Sequence, residues 1–266
     1  MELPLILGYT GALLTGIVLG ILGGGGALLS IPVLVYFFHI DADIATGYSL
    51  FLIGVTALSG AVRNIVKRNV DLRLAVFYGI PSLFAVYVMR RFLMPGLPDI
   101  IFSGSLFTLD KNHLILFVLS AVMFVVGYKM IKEEKKAQTA VAGEIDYLRM
   151  ISYAVLIGAF LGFVGAGGGF LMTPVLIYFG KLPMKKAVGT SLLLVSCNSF
   201  IGFLGDLGGN HPMDWIFLFT FSGFSIAGVF LGVYLANFVD EKQLKKAFGW
   251  FMLALGAIII AKEVLR

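Results

Sequence analysis

Long apolar runs, separated by short charged stretches, limit how this chain can fold more than any other feature. A helix needs about 20 apolar residues to cross the hydrocarbon core of a membrane, and most of the runs reach that length. Because 59% of the residues are apolar and only 13% are charged, a soluble fold would lack the polar side chains to coat its surface. The sequence therefore predicts an all-α polytopic membrane protein and excludes a soluble enzyme, a nucleic-acid-binding protein and a disordered chain. The runs are 3–22, 27–38, 44–62, 72–92, 112–131, 148–165, 168–180, 186–204, 213–238 and 246–264.

The chain also repeats itself. A shift of 142 residues, without a gap, places seven glycines and a proline of the first half on the same residue types in the second half. Shared apolar composition does not produce such matches, so the sequence contains an internal duplication, which is a feature of secondary transporters. The matched positions include Gly16, Gly20, Gly23, Gly25, Gly26, Pro32, Gly47, Ser49 and Gly60, which fall on Gly158, Gly162, Gly165, Gly167, Gly168, Pro174, Gly189, Ser191 and Gly202.

Charges in the loops predict that the two halves have opposite orientations. Loop 39–43 carries only acidic charge, whereas its equivalent, 181–186, carries only lysines; loop 63–73 is basic, whereas its equivalent, 205–214, is acidic. Basic loops face the cytoplasm, so equivalent loops lie on opposite sides of the membrane and the repeats are inverted. The pair Arg90–Arg91 fits this scheme poorly, because it ends a span on the predicted outer side.

The predicted architecture is the same in each half: a helical hairpin broken at a glycine cluster, followed by three transmembrane helices. The breaks lie at 23–26 and 165–169. The first repeat is 1–131, a cytoplasmic linker covers 132–149, and the second repeat is 150–266. Both termini then face outward.

The glycine clusters predict an anion-binding site. Consecutive glycines unwind a helix, and the helix that restarts presents free backbone N–H groups and the positive end of its dipole. Because every charged residue lies in a loop or within a turn of a span end, we expect the anion to be held by N–H groups, hydroxyls and amides. The candidate substrate-binding residues are Gly24, Gly25, Gly26, Ser49, Thr56, Gly167, Gly168, Gly169, Thr190, Ser191 and Asn198.

Simpler interpretations of the same residues stay open. The Gly16–Gly20 and Gly158–Gly162 pairs are typical of helix-packing faces. A serine or threonine in a membrane helix often bonds only to a carbonyl of its own helix. Asn198 is harder to explain in this way, because a buried amide needs several hydrogen-bond partners.

No metal, cofactor or catalytic chemistry is expected. Cys197 is the single cysteine, and the three histidines are scattered at span ends, which does not favour a metal site. The spans contain no nucleophile and base at plausible spacing, so an enzyme is not expected. Basic residues such as Arg63 are interpreted as determinants of orientation and not as ligands.

Both halves share a further pattern of residues. Each has Gly-x-x-x-Gly-x-x-Gly-x-Gly-Gly, then Pro-x-Leu, then Ala-x-Gly-x-Ser-Leu, with an extra glycine, Gly24, where the second half has Ala166. This pattern resembles the TauE/SafE sulfite exporter family over essentially the whole chain. The resemblance implies a multi-pass permease of the cell inner membrane for small sulfur-containing anions such as sulfite or organosulfonates, and most members are assigned to export. The segments are 16–26, 32–34 and 45–50, then 158–168, 174–176 and 187–192.

Two functions are compatible with these features. The first is a transporter that exports sulfite or organosulfonates by alternating access, and the alternative is a passive anion channel on the same scaffold. The expected partners are the small anion and the lipid bilayer. The exact substrate, the direction of transport, a coupling ion and homo-oligomerisation stay open at this point.

Overall fold

The computed structural model is built almost entirely of helices. It describes residues 2–22, 25–98, 100–103, 108–132, 146–165, 167–207, 213–235 and 241–264. The helices in these segments are α1 (Glu2–Leu22), α2 (Ser30–Phe37), α3 (Ala42–Val66), α4 (Leu72–Val88), α5 (Met94–Gly96), α6 (Lys111–Lys132), α7 (Tyr147–Val164), α8 (Gly169–Tyr178), α9 (Met184–Asp206), α10 (Trp215–Leu235) and α11 (Glu241–Val264). A π-helical turn, Met89–Leu93, joins α4 to α5.

Six helices among the described residues are long and apolar enough to cross a membrane. In a bilayer every backbone polar group must be paired within the protein, and a helix achieves this along its own length. The predicted polytopic all-α membrane fold is therefore confirmed. The candidate spans are Ala42–Val66, Leu72–Gly96, Lys111–Tyr128, Tyr147–Val164, Lys185–Asp206 and Trp215–Gly232.

The two short apolar runs form half-helices, as the sequence predicts. A 3-10 turn, Gly25–Leu29, leads into α2. In the second half α7 ends at Val164 and α8 begins at Gly169. The intervening Gly165 and Gly168 have φ angles of 71° and 65°. Only glycine adopts this left-handed conformation without steric cost, which explains why the break needs glycine.

Helices α3 and α9, which hold equivalent positions in the repeated sequence, pack along each other at the centre of the molecule. The Ser196 hydroxyl of α9 donates a hydrogen bond to the Gly54 carbonyl oxygen of α3 (3.1 Å). Contacts occur in opposite order along the two helices, so the pair is antiparallel. The contacting positions are Gly47 with Asp206, Gly54 with Ser196 and Phe200, and Gly60 with Leu192.

Helices α4 and α9 also pack together, but they run in the same direction. The polar pairs Ser82–Asn198 and Arg90–Asp206 lie along this contact, eight residues apart on each helix. A rise of about 1.5 Å per residue places the two pairs ~12 Å apart along the helix axes.

Small residues let the outer helices approach closely. Gly16 of α1 lies against the backbone of Ser225 and Gly228 in α10, and Gly158 of α7 lies against the Ser82 backbone in α4. A Cβ atom at Gly162 would lie 2.8 Å from Met89 Cβ. The predicted packing role of these glycines is confirmed, and it leaves no room for a larger side chain.

One feature departs from a purely helical chain. Strands β1 (Ile100–Ser103) and β2 (Thr108–Asp110) pair antiparallel between α5 and α6. The sequence gives little sign of this hairpin, because strands of four and three residues are too short to produce a clear periodicity. Ile100 to Phe102 are nevertheless residue types that favour strands.

Candidate functional site

The second glycine break lies in the interior of the protein. Ser49 of α3 is fully buried, and its hydroxyl lies within hydrogen-bonding distance of two carbonyl oxygens, that of Gly165 at the start of the break and that of Thr46 in its own helix (2.9 Å). Gly165, Gly167 and Gly168 are buried as well. A hydroxyl of one half therefore holds the break of the other half in place.

The two breaks contact each other. An added Cβ at Gly167 would lie 3.3 Å from the Cβ of Ala27, which belongs to the 3-10 turn of the first half. The candidates Gly25 and Gly26 lie in that turn, and Gly24 falls outside the described residues. The structure thus brings the two glycine segments together, as the sequence predicts.

The start of α8 has the donor groups that an anion site requires. Gly168 occupies the N-cap position and supplies no side-chain cap, while its carbonyl accepts from the N–H groups of Leu171 and Met172. The first N–H groups of a helix have no partner within the helix. Gly169 begins the helix, and its carbonyl oxygen accepts from the Thr173 hydroxyl (2.8 Å). The N–H groups of Gly169 and Phe170 come before that of Leu171, the first to bond to the Gly168 carbonyl oxygen, and so have no partner within α8.

Ser191 lies beside α8 but not at the break. It is fully buried, its Oγ lies 2.8 Å from the Thr173 Oγ1, and its hydroxyl donates to the Val188 carbonyl oxygen (2.9 Å). It therefore links α8 to α9. Its repeat equivalent, Ser49, is the one that bonds to the break itself.

Two of the predicted residues bond elsewhere. The Thr56 hydroxyl bonds to carbonyl oxygens of its own helix, at Leu52 and Ile53. The Thr190 hydroxyl accepts from the Asp71 N–H (3.0 Å) and so ties α9 to the start of α4. The simpler interpretation of membrane hydroxyls thus fits Thr56, and Thr190 lies near a span end.

Asn198 lies in a buried polar cluster between α4 and α9. Its amide nitrogen donates to the Ser82 hydroxyl (2.7 Å), and its side chain is 2% exposed. Its Oδ1 atom has no partner within the described part of the chain, and neither does the Tyr78 hydroxyl one turn from Ser82. Unpaired polar atoms at such depth indicate a place where a polar ligand or water completes the bonding.

A buried arginine, Arg90, also lies inside the protein, and sequence reasoning missed it. Its side chain is 2% exposed, and its Nη1 lies 3.1 Å from Asp206 Oδ2 and 3.0 Å from Thr46 Oγ1. The sequence places Arg90 within a turn of the end of its predicted span, as expected, but the structure buries its side chain, so that a basic group is present inside the protein. Arg90 lies in the π-helical turn Met89–Leu93 that follows α4.

Comparison with known proteins identifies the family. The sequence profile of the sulfite exporter TauE/SafE family matches residues 9–259. The chain belongs to the TauE/SafE family. Two probable membrane transporter proteins of Xylella fastidiosa, from strains Temecula1 and 9a5c, are 29% and 30% identical to it over 254 residues, 93% of this chain and 91% of theirs. The probable membrane transporter protein YdhB of Bacillus subtilis is 26% identical over 238 residues, 88% of this chain and 91% of its own. No solved structure gives a significant match.

As a TauE/SafE protein, the chain is a multi-pass membrane transporter. Its interior polar groups lie at two levels along α4 and α9. The Ser82–Asn198 pair forms one level, and the Arg90–Asp206 pair forms the other. A second ion pair, Lys111 with Asp43 (2.9 Å), joins the start of α6 to the start of α3 near the Arg90 level.

Proposed function

We propose that this TauE/SafE protein transports small sulfur oxyanions, such as sulfite or small organosulfonates, across the cell inner membrane. Transport proceeds by alternating access, and export is the physiological direction. The family description supports the substrate class. The site argues for a small anion, because it offers backbone N–H groups at helix starts inside a membrane protein.

The bond between Ser49 and the Gly165 carbonyl carries this proposal. It fixes the second break at depth in the protein, where the N–H groups at the start of α8 have no side-chain cap. Irregular backbone at membrane depth is tolerated only where protein or a water-filled cavity surrounds it. With the Gly165 carbonyl oxygen bonded to Ser49, the N–H groups at the start of α8 stay available to donate to an anion.

The substrate lies between the two breaks in this proposal. Backbone N–H groups of both glycine segments supply most of the positive potential, and Asn198 adds a directed hydrogen bond through the amide N–H that Ser82 does not use. Ser49 and Ser191 donate to the anion by releasing the carbonyl oxygens of Gly165 and Val188. Thr56 and Thr190 help to shape the surroundings, since their hydroxyls are used elsewhere. The proposed backbone groups belong to Gly24, Gly25, Gly26, Gly167, Gly168 and Gly169.

We also propose that the repeats are inverted, with boundaries at 1–131 and 150–266. The antiparallel contact of α3 with α9 supports this, because equivalent helices of inverted repeats run in opposite directions. The parallel contact of α4 with α9 supports it too: α4 follows α3 after a short loop and reverses its direction. Inverted repeats let the two halves exchange conformations, which is the usual basis of alternating access.

Uptake by proteoliposomes tests the substrate class. Purified protein is reconstituted, and radiolabelled sulfite or methanesulfonate is added outside, with choline as a cationic control and protein-free liposomes as the blank. We expect saturable uptake of at least one sulfur anion and none of choline. Uptake equal to that of protein-free liposomes for every sulfur anion would refute the proposed substrate.

A further inference from the structure

Arg90 uses only part of its hydrogen-bonding capacity. A guanidinium has five N–H groups, and the Nη1 atom makes both observed bonds, to Asp206 and Thr46. Nε and Nη2 have no acceptor among the residues that the structure describes. With the side chain 2% exposed, bulk water does not supply one either.

An unpaired edge of a buried guanidinium points to a missing acceptor. Buried polar groups in folded proteins almost always have partners, and each exception requires an explanation. The planar fork of arginine matches two oxygens of one oxyanion and forms two parallel N–H···O bonds with them. A small oxyanion is therefore the ligand that best completes the Nε and Nη2 donors.

The free edge borders the second glycine break. A Cβ added at Gly165 would lie 2.6 Å from Arg90 Nη2 and 2.6 Å from the Thr46 carbonyl oxygen. The Gly165 carbonyl oxygen is already occupied by the Ser49 hydroxyl. Arg90 Nη2 thus lies beside the break, and a side chain at position 165 would occupy the space in front of this donor.

The repeat does not reproduce this arrangement. The positions related by 142 residues to Arg90, Asp206 and Thr46 are Gly232, Asn64 and Val188. An interaction needed only to hold a repeated fold together would be expected in both halves. The Arg90–Asp206 pair therefore has no charged counterpart at the equivalent positions of the repeat.

We propose that Arg90 binds the transported oxyanion through Nε–H and Nη2–H, and that the Asp206 carboxylate competes with the anion for the guanidinium. This rests on the proposed function and adds a specific binding residue to it, at the level of Gly165. Because the Ser82–Asn198 pair lies ~12 Å away along the helices, the anion meets Arg90 and Asn198 in succession. Lys111 and Asp43 contribute one charge of each sign nearby, so the four side chains sum to zero without the anion. Loss of the Asp206 charge leaves a net positive site, which favours an anion.

Two substitutions are expected to act in opposite directions. Arg90→Gln removes the fork and weakens binding about tenfold or more, as for hydrogen bonds to charged groups. Asp206→Asn removes the competing carboxylate and strengthens binding severalfold. Arg91→Gln is the matched control, since Arg91 is the exposed neighbour of Arg90 and its loss should leave the affinity unchanged.

The measurement is calorimetric titration of the purified, detergent-solubilised protein with sulfite and with methanesulfonate. The double variant Arg90→Gln/Asp206→Asn removes both charges and so avoids an unpaired buried ion. If the Arg90–Asp206 pair has only a structural role, the double variant should bind the anion with wild-type affinity, and this result would overturn the inference. Weak binding by the double variant and tight binding by Asp206→Asn support it. Equal affinity of Asp206→Asn and wild type would also overturn it.

Phosphate and nitrate are titrated in the same series, so that the proposed substrate class and the proposed role of Arg90 are tested separately. A wild type that binds one of these but no sulfur anion refutes the proposed substrate class, and the Arg90 variants are then judged with the anion that binds. A wild type that binds sulfite, together with an Arg90→Gln protein of equal affinity, refutes the role of Arg90 alone. Binding of none of the anions refutes both.

Discussion

The Ser196 hydroxyl donates a hydrogen bond to the Gly54 carbonyl oxygen, and 142 residues separate the two positions. This is the offset of the internal repeat. When two halves are related by a two-fold axis, equivalent residues meet only close to that axis. In the proposed inverted repeat this pair therefore lies close to the two-fold axis, where α3 crosses α9.

Opposite orientation of the halves predicts the sides on which two loops lie. Single cysteines are placed at Gln138 and Asn210 in a Cys197→Ala background. By the positive-inside rule the lysine-rich linker is cytoplasmic and the acidic loop is external. A membrane-impermeant thiol reagent added to intact cells should label position 210 and not position 138. Labelling of both positions from the same side would exclude the inverted arrangement.

Asn198 and Thr56 occupy equivalent positions in the two halves, yet they are bonded differently. Asn198 has a free carbonyl oxygen and one bond to Ser82, whereas Thr56 bonds to its own helix. We expect Asn198→Ala to weaken anion binding by about 1.5–3 kcal/mol, roughly ten- to a hundredfold, because it removes the second amide N–H, which Ser82 does not use and which we propose donates to the anion. Calorimetric titration with sulfite measures this.

Thr56→Val is the matched control for that prediction. It removes a buried hydroxyl at the equivalent position, and the affinity should change by less than about threefold because this hydroxyl makes only local bonds. Size-exclusion profiles confirm that both variants are folded. If Asn198→Ala binds sulfite as tightly as Thr56→Val, then Asn198 does not contact the substrate.

Much of the scaffold could be predicted because it follows from local sequence. The apolar runs set the spans, and the glycine clusters set the breaks at the end of α1 and between α7 and α8. The proximity of Gly167 to Ala27 agrees with the prediction that the two glycine breaks lie together. These features need only length, hydropathy and the conformational range of glycine.

The side-chain partners could not be predicted in the same way. The bond of Thr190 to the Asp71 N–H depends on how α9 packs against the start of α4. The sequence places Arg90 at the end of a span, and no local pattern predicts either the π-helical turn in which it lies or the burial of its side chain. One signal was present: two arginines on the predicted outer side, together with an acid, Asp206, at the neighbouring span end.

The glycines of the second break are expected to be essential for folding as well as for binding. Gly168 has a φ of 65°, and an added Cβ would overlap the Leu161 side chain. Gly168→Ala therefore places alanine in the left-handed region at about 1–2 kcal/mol, with a further cost of about 1–3 kcal/mol for overpacking. Thermal unfolding in detergent should show a marked loss of stability.

Gly223→Ala provides the comparison for Gly168→Ala. Gly223 lies on an exposed face of α10, and nothing lies within 4 Å of an added Cβ. Because alanine favours a helix by up to about 1 kcal/mol over glycine, the unfolding temperature should stay the same or rise slightly. Equal unfolding temperatures for the two variants would show that the left-handed break is not required.

Counterflow in proteoliposomes tests most directly whether the protein is a carrier for sulfur oxyanions. Vesicles are loaded with unlabelled sulfite and diluted into a trace of radiolabelled sulfite. In an alternating-access carrier, unlabelled sulfite from inside occupies most of the sites that return to the outside, so little label leaves again. The label inside should therefore rise transiently above its equilibrium level, and this overshoot should be lost in Asn198→Ala. A passive channel equilibrates the label without an overshoot, and that result would contradict transport by alternating access.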